Sequence, residues 1–176
     1  GTGQFNNADN NYLISAINHG EGQVLLVRIK PPSYPDTNEE YDKTDVRYWS
    51  FNEGDANTST AFGMKDVEFK RAKDGFVYIA IGDERIRRTA KERGYNFMPW
   101  EAKRRKTVIL YRNLVTNPQY RGSLDKVPEI KPKDLLDKQK LYTKDAKNFI
   151  GDYAPTGKKI SQSLFIRDGR GTASGL

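Results

Sequence analysis

The sequence predicts a mainly β fold, an antiparallel β-sandwich of jelly-roll type with a few short peripheral helices. Three observations carry that expectation. Four short apolar stretches, Tyr12–Asn18, Gln23–Lys30, Val46–Phe51 and Val67–Ile81, each close on a Gly, Pro or Asp signal, and a fifth, Thr107–Leu114, completes the set. Only one segment between them, Asp83–Arg93, has helical spacing, whereas a parallel α/β sheet needs helices between its strands. The 176 residues include 10 Tyr, 8 Phe and 2 Trp, enough large side chains to fill the core of one domain.

Taken in order, Gly1–Asn11 is rich in Asn and Gly and reads as a flexible arm, ahead of a single domain over residues 12–166. Tyr12–Asn18 and Gln23–Lys30 flank His19-Gly20-Glu21-Gly22 and read as a hairpin. Pro31, Pro32 and Pro35 stop the second strand, because proline donates no ladder bond. Val46–Phe51 is a strand with Trp49 and Phe51 on one face and Tyr48 on the other. Asn52–Thr60 reads as a polar loop.

Val67–Arg71 and Phe76–Ile81 read as a second hairpin around Ala72–Gly75, where Gly75 supplies the positive φ of the turn. Val77, Ile79 and Ile81 share one face; Phe76, Tyr78 and Ala80 share the other, which is the mark of a central strand. Asp83–Arg93 is a surface helix capped by Asp83 and stopped by Gly94. Thr107–Leu114 is the last strand. Lys133–Tyr142 and Lys144–Ile150 read as short helices, the second capped by Thr143 and closed by Gly151. Residues 167–176 are Gly- and Ser-rich and read as a disordered tail.

Composition excludes several chemistries. Without cysteine there is no disulfide, thiolate catalyst or Cys-ligated metal, and a single histidine excludes a multi-histidine metal site. No apolar run reaches the ~18 residues of a membrane span. The missing initiator Met and the start Gly1-Thr2-Gly3 read as a processed or cloned beginning. The net charge of +7 is uneven: from Asp83 to Lys106, nine cations face four carboxylates.

An Arg47-Tyr48-Trp49-Ser50 strand is followed by the Asp74-Gly75 turn and its strand, the Pro99-Trp100 segment, and Tyr111–Leu114. Gln23–Asp36 precedes them and Tyr153–Gly157 follows. In this order they resemble the jelly-roll-like C-terminal region of secreted bacterial proteins of unknown function. The resemblance spans most of Tyr12–Phe165 and implies an exported (periplasmic or secreted) β-sandwich that follows another domain. It supplies no catalytic residues, and the basic Arg85–Lys106 region departs from its pattern.

Candidate sites follow from the residues alone. The sharpest is an anion or glycan site formed by Arg85, Arg88, Arg104 and Arg105, with Tyr95 and Trp100 between the two basic clusters. Aromatic rings stack on sugars or bases, and the cations would hold sulfate, phosphate or an anionic polysaccharide. The bland alternative is a solvated charged face with Trp100 plugging the core. No nucleic-acid motif accompanies the charge, so specific nucleic-acid binding is not expected.

His19 reads as an exposed turn residue, since nothing locates a nucleophile beside it. The carboxylate pairs Glu39/Glu40, Asp83/Glu84 and Asp42/Asp45 would make a glycosidase only if held roughly 5–10 Å apart across a sugar. Asp9-Asn10-Asn11 and Asn52–Asn57 offer oxygens suited to structural calcium, and no other cofactor is expected. Asn57-Thr58-Ser59 matches a glycosylation acceptor. The reading that results is a non-catalytic module of an exported bacterial protein, binding another domain or protein of the same assembly. The alternatives are an anionic-glycan-binding module and part of a hydrolase completed by another domain.

Overall fold

A computed structural model describes residues 10–36, 42–54, 60–100, 106–128 and 142–167. The expected helix over Lys133–Tyr142 lies outside them but for Tyr142, as do residues 1–9 of the expected arm and 168–176 of the expected tail.

Among the described residues the fold is mainly β, with eight strands in two four-stranded sheets and a few short helices. The strands are β1 (Asn10–Asn18), β2 (Gln23–Ile29), β3 (Val46–Gly54), β4 (Thr60–Lys65), β5 (Val77–Gly82), β6 (Asn96–Pro99), β7 (Lys106–Thr116) and β8 (Thr156–Ser161). The helices are α1 (Arg87–Glu92), α2 (Tyr142–Ile150) and α3 (Gln162–Arg167). The first sheet has the order β1-β7-β3-β4 and the second β6-β5-β2-β8. Every pairing is antiparallel except β5 with β6, which is parallel, so the second sheet is mixed rather than wholly antiparallel.

One apolar cluster joins the sheets. Leu13, Trp49, Phe51, Ile109 and Tyr111 enter it from the first sheet; Leu25, Val27, Ile29, Val77, Ile79 and Ile81 enter from the second. Trp49 anchors it, stacked on Phe69 at 4.6 Å and edge-on to Tyr111 at 6.1 Å. Ala146 and Ile150 of α2 extend the cluster beside β1. A second cluster covers the far face of the second sheet. There Val24, Leu26, Tyr78 and Ala80 meet Ile86, Ala90 and Tyr95 from the α1 region and Phe165 from α3. Arg93 fixes α3 in place, its guanidinium donating to the carbonyl oxygens of Phe165 and, at 3.0 Å, Ile166. Those oxygens lie in the last turn of α3, where helix carbonyls have no partner of their own.

Several expectations hold. Strand β5 is central and buried along its length, with the two faces divided as its alternation requires. Asp83 caps the turn before α1 by accepting from Arg85 N at 2.9 Å, and Gly94 ends the helix at φ 78°.

The first hairpin does not form. β1 pairs with β7 while β2 pairs with β5 and β8, so His19–Gly22 crosses between sheets. The reason lies in burial. β2 is almost continuously buried and needs a sheet covered on both faces; β1 buries one face only. The second hairpin is reduced to an Arg71–Val77 bridge closed by Gly75 N to Ala72 O at 2.9 Å, because Asp66–Glu68 turn into a 3-10 helix. β3 and β4 form a hairpin, with strand at both ends of Asn52–Thr60, the segment expected to be a polar loop. β6 and β8 are strands beyond those the sequence predicts, and Asn10 and Asn11 of the expected arm belong to β1.

Replacing Ile79, fully buried between the sheets, by Ala should cost about 2–5 kcal/mol of unfolding free energy. Urea denaturation checks this, and a loss under about 1 kcal/mol would mean that the site is not in a close-packed core.

Candidate functional site

The structure separates the aromatic and basic halves of the expected anion site. Tyr95 follows the Gly94 turn, and its ring is only 4% exposed, edge-on to both Tyr78 and Phe165. Trp100 directly follows β6 and is 9% exposed. Its N–H donates to the Gln23 carbonyl at 3.3 Å and its ring stacks on His19 at 4.1 Å. Both rings thus serve the core, and neither offers a bare face for a sugar. His19 is correspondingly not a free turn residue: it is half-buried against Trp100.

Arg85 and Arg88 are exposed, and each faces a carboxylate of its own segment. Arg85 holds Asp83 at 2.8 Å, and Arg88 lies 3.4 Å from Glu92 one turn away. Arg87 does the same with Glu84 while its guanidinium lies over the Phe97 ring. The hydrogen bond from the Arg85 side chain, followed by that from its backbone N–H, keeps Asp83 below its usual carboxylate range. The Arg87 guanidinium does likewise for Glu84. Such exposed pairs contribute little to stability, but they neutralise locally the charge that made this region conspicuous. Arg104 and Arg105 lie outside the described residues.

The acidic candidates are similarly dispersed. Asp83 and Glu84 are tied to arginines, Asp45 braces a loop by accepting from Ser33 N at 2.9 Å, and Glu39 and Glu40 lie outside the described residues. Among the described residues no group of three or more His, Cys, Asp or Glu is placed to hold a metal. The two expected calcium loops and the glycosylation triplet fall partly or wholly outside those residues. No helix among the described residues is long and apolar enough to cross a membrane.

The structure draws attention instead to the outward face of the first sheet. Tyr12, Ile14, Tyr48, Leu110 and Leu114 lie on it half-exposed, and none of them belongs to either buried cluster. Register places Tyr12 and Ser50 on either side of Arg112. The Arg112 guanidinium sits 5.7 Å from the Tyr12 ring centre and 5.6 Å from that of Tyr48, bridging the two rings across three strands. Lys65 and Lys106 add positive charge, and from Tyr12 to Asn18, Tyr48 to Gly54 and Lys106 to Thr116 no outward position holds a carboxylate. Among the described residues the outward strand positions of this face thus combine apolar, aromatic and cationic side chains without a carboxylate. The signal was present in the sequence as the second parity of Tyr12–Asn18 and Thr107–Leu114, but strand pairing was needed to unite the two.

No family model matches the chain and no curated protein matches it. Among solved structures, an uncharacterized protein from Burkholderia cenocepacia superposes with a TM-score of 0.54 at 9% identity, over 90% of this chain and 32% of that one. The VPA0106 protein from Vibrio parahaemolyticus gives a TM-score of 0.43 at 15% identity, over 64% of this chain and 27% of that one. The first likeness is one of fold, and the chain spans about a third of the Burkholderia protein's length.

Burial pushes the Tyr95 phenol from 10.0 up to about 12. Below pH 10 the phenol is neutral in both folded and unfolded chains and its contribution to stability is complete; between pH 10 and about 12 the unfolded chain loses the proton first and that contribution is lost. Tyr95→Phe should therefore make the alkaline fall in stability shallower across that window, read from urea midpoints at successive pH values. An unchanged slope would place the Tyr95 hydroxyl in water.

Proposed function

We propose that the chain is a non-catalytic interaction module of a larger exported bacterial protein, and that it holds a partner protein or domain against the outward face of β1, β7 and β3. The carrying observation is the contrast between the two sheets. The outer face of the second is buried under α1 and α3, whereas the first keeps half-exposed Tyr12, Ile14, Tyr48, Leu110 and Leu114 around Arg112. Aromatic residues and arginine are the side chains enriched where proteins meet, and carboxylates are depleted there.

On this reading the two sheets form a sandwich of jelly-roll type. The repeated crossing of the chain from sheet to sheet, β1 to β2 to β3, supports it, and the parallel β5–β6 pair departs from the all-antiparallel form. Placement outside the cytoplasm rests on the resemblance carried by Arg47–Ser50, Asp74-Gly75 and Pro99-Trp100. The 32% coverage of the Burkholderia protein fits a module within a longer chain. Burial of Tyr95 and Trp100 weighs against the anionic-glycan alternative, and the pairing of Asp83 and Glu84 with arginines weighs against the hydrolase alternative.

A photo-crosslinking residue at Leu110 or Tyr48, in protein produced in its own host, should give a protein adduct of one discrete mass. The same residue at Lys158 on β8 should give none. Excess wild-type chain should compete the adduct away and excess Leu110→Asp chain should not. Labelling that is equal at Lys158, or competition by Leu110→Asp, would refute an interaction at this face.

A further inference from the structure

On the opposite side of the molecule, the outer face of the second sheet ends in a small cavity of about 40 Å³ between β2, β8 and the end of α2. Arg28 forms its wall. It is the one cation in the apolar run of β2, paired with Tyr78 on one side and Thr156 on the other. Its guanidinium carbon lies over the Phe76 ring, 3.6 Å from the centre, a contact that restrains the side chain. Lys147, in the last turn of α2, brings a second cation to the same cavity, and the Gly151 turn at φ 55° carries the chain round to Thr156.

Among the described residues, neither Arg28 nor Lys147 has an ion pair. The Arg28 Nε–H is buried without an acceptor, a costly arrangement for a charged group that otherwise lies on a sheet face. The nearby Asp74 attracts the Arg28 charge, and the Tyr78 hydroxyl lies within reach of Arg28. Asp74 nevertheless accepts from Phe76 N at 3.0 Å and from the Tyr78 hydroxyl at 2.8 Å, and neither group takes the Nε–H. Asp152 also lines the cavity, so two cations there face one carboxylate.

Size narrows the chemistry. At ~10–15 Å³ for each water position, the cavity has room for about three heavy atoms. A carboxylate fits that space, whereas a sugar ring or an aromatic group does not fit within it. A guanidinium held over a ring is also the natural fork-shaped partner for a carboxylate. We infer that the cavity between Arg28, Lys147 and Thr156 binds a carboxylate group, with Arg28 as its planar partner and Lys147 as the second charge at the mouth. The group would come from a small free acid or from an acidic side chain of a polypeptide.

The test is a ¹⁵N NMR titration of the full chain with sodium acetate, against sodium chloride at equal ionic strength. Acetate should shift the Arg28 Nε–H and Thr156 N–H signals saturably, and chloride should not. Arg28→Lys, which keeps the charge and loses the fork, should weaken acetate by about tenfold or more. Lys147→Ala, at an exposed position, should also weaken it without disturbing the fold. A blocked aspartyl peptide that displaces acetate at lower concentration identifies a polypeptide source; acetate entering where the peptide does not identifies a free acid. Absence of saturation, equal shifts with chloride, or a preference for phosphate over acetate would overturn the assignment.

Discussion

Strand β5 is buried on both faces, and the rest of the molecule answers to that constraint. Val77, Ile79 and Ile81 cannot face water, so a second sheet must lie over them; Tyr78 and Ala80 cannot either, so α1 and α3 must cover the other side. Each fully buried aliphatic side chain contributes roughly 1.5–3 kcal/mol relative to exposure. Without either cover the strand would present a continuous apolar ridge to solvent. Asn96 secures the short parallel neighbour β6, donating to the Tyr78 carbonyl at 3.0 Å and to that of Lys70 at 2.9 Å.

The same constraint apportions the surfaces. Helices occupy one side of the second sheet, and the charges that made Arg85–Arg93 stand out become helix-surface ion pairs and, at Arg93, a clamp on α3. Among the described residues, what is left over is the outward side of the first sheet and the Arg28 cavity. These lie on opposite faces of the molecule and share no residue, so a partner on one face leaves the other open to solvent.

Much of the fold was legible because burial writes itself into strand periodicity. The double-sided apolar run at Phe76–Ile81 gave the central strand, and Asp83 with Gly94 gave both ends of the helical segment. What failed were pairings. Four residues between two strands suit a hairpin, yet the unequal burial of Tyr12–Asn18 and Val24–Val27 already argued for different sheets. β8 was invisible because Thr156-Gly157-Lys158-Lys159 has no apolar face; it is an edge strand whose lysines guard it against further pairing. Charge density pointed to Arg85–Arg105, whereas the cation with the more telling surroundings was Arg28, placed alone inside an apolar run. Its meaning depended on Phe76 and Lys147, which only the folded chain brings near it.

Native-state hydrogen exchange is the most direct measurement of this interdependence. If the two sheets are held by one shared core, amides of Ile79 and Leu26 in the second sheet and Tyr111 and Phe51 in the first should open only with global unfolding, at one common free energy. Exchange of the first-sheet amides through a separate, lower-energy opening, with the second sheet still protected, would contradict it.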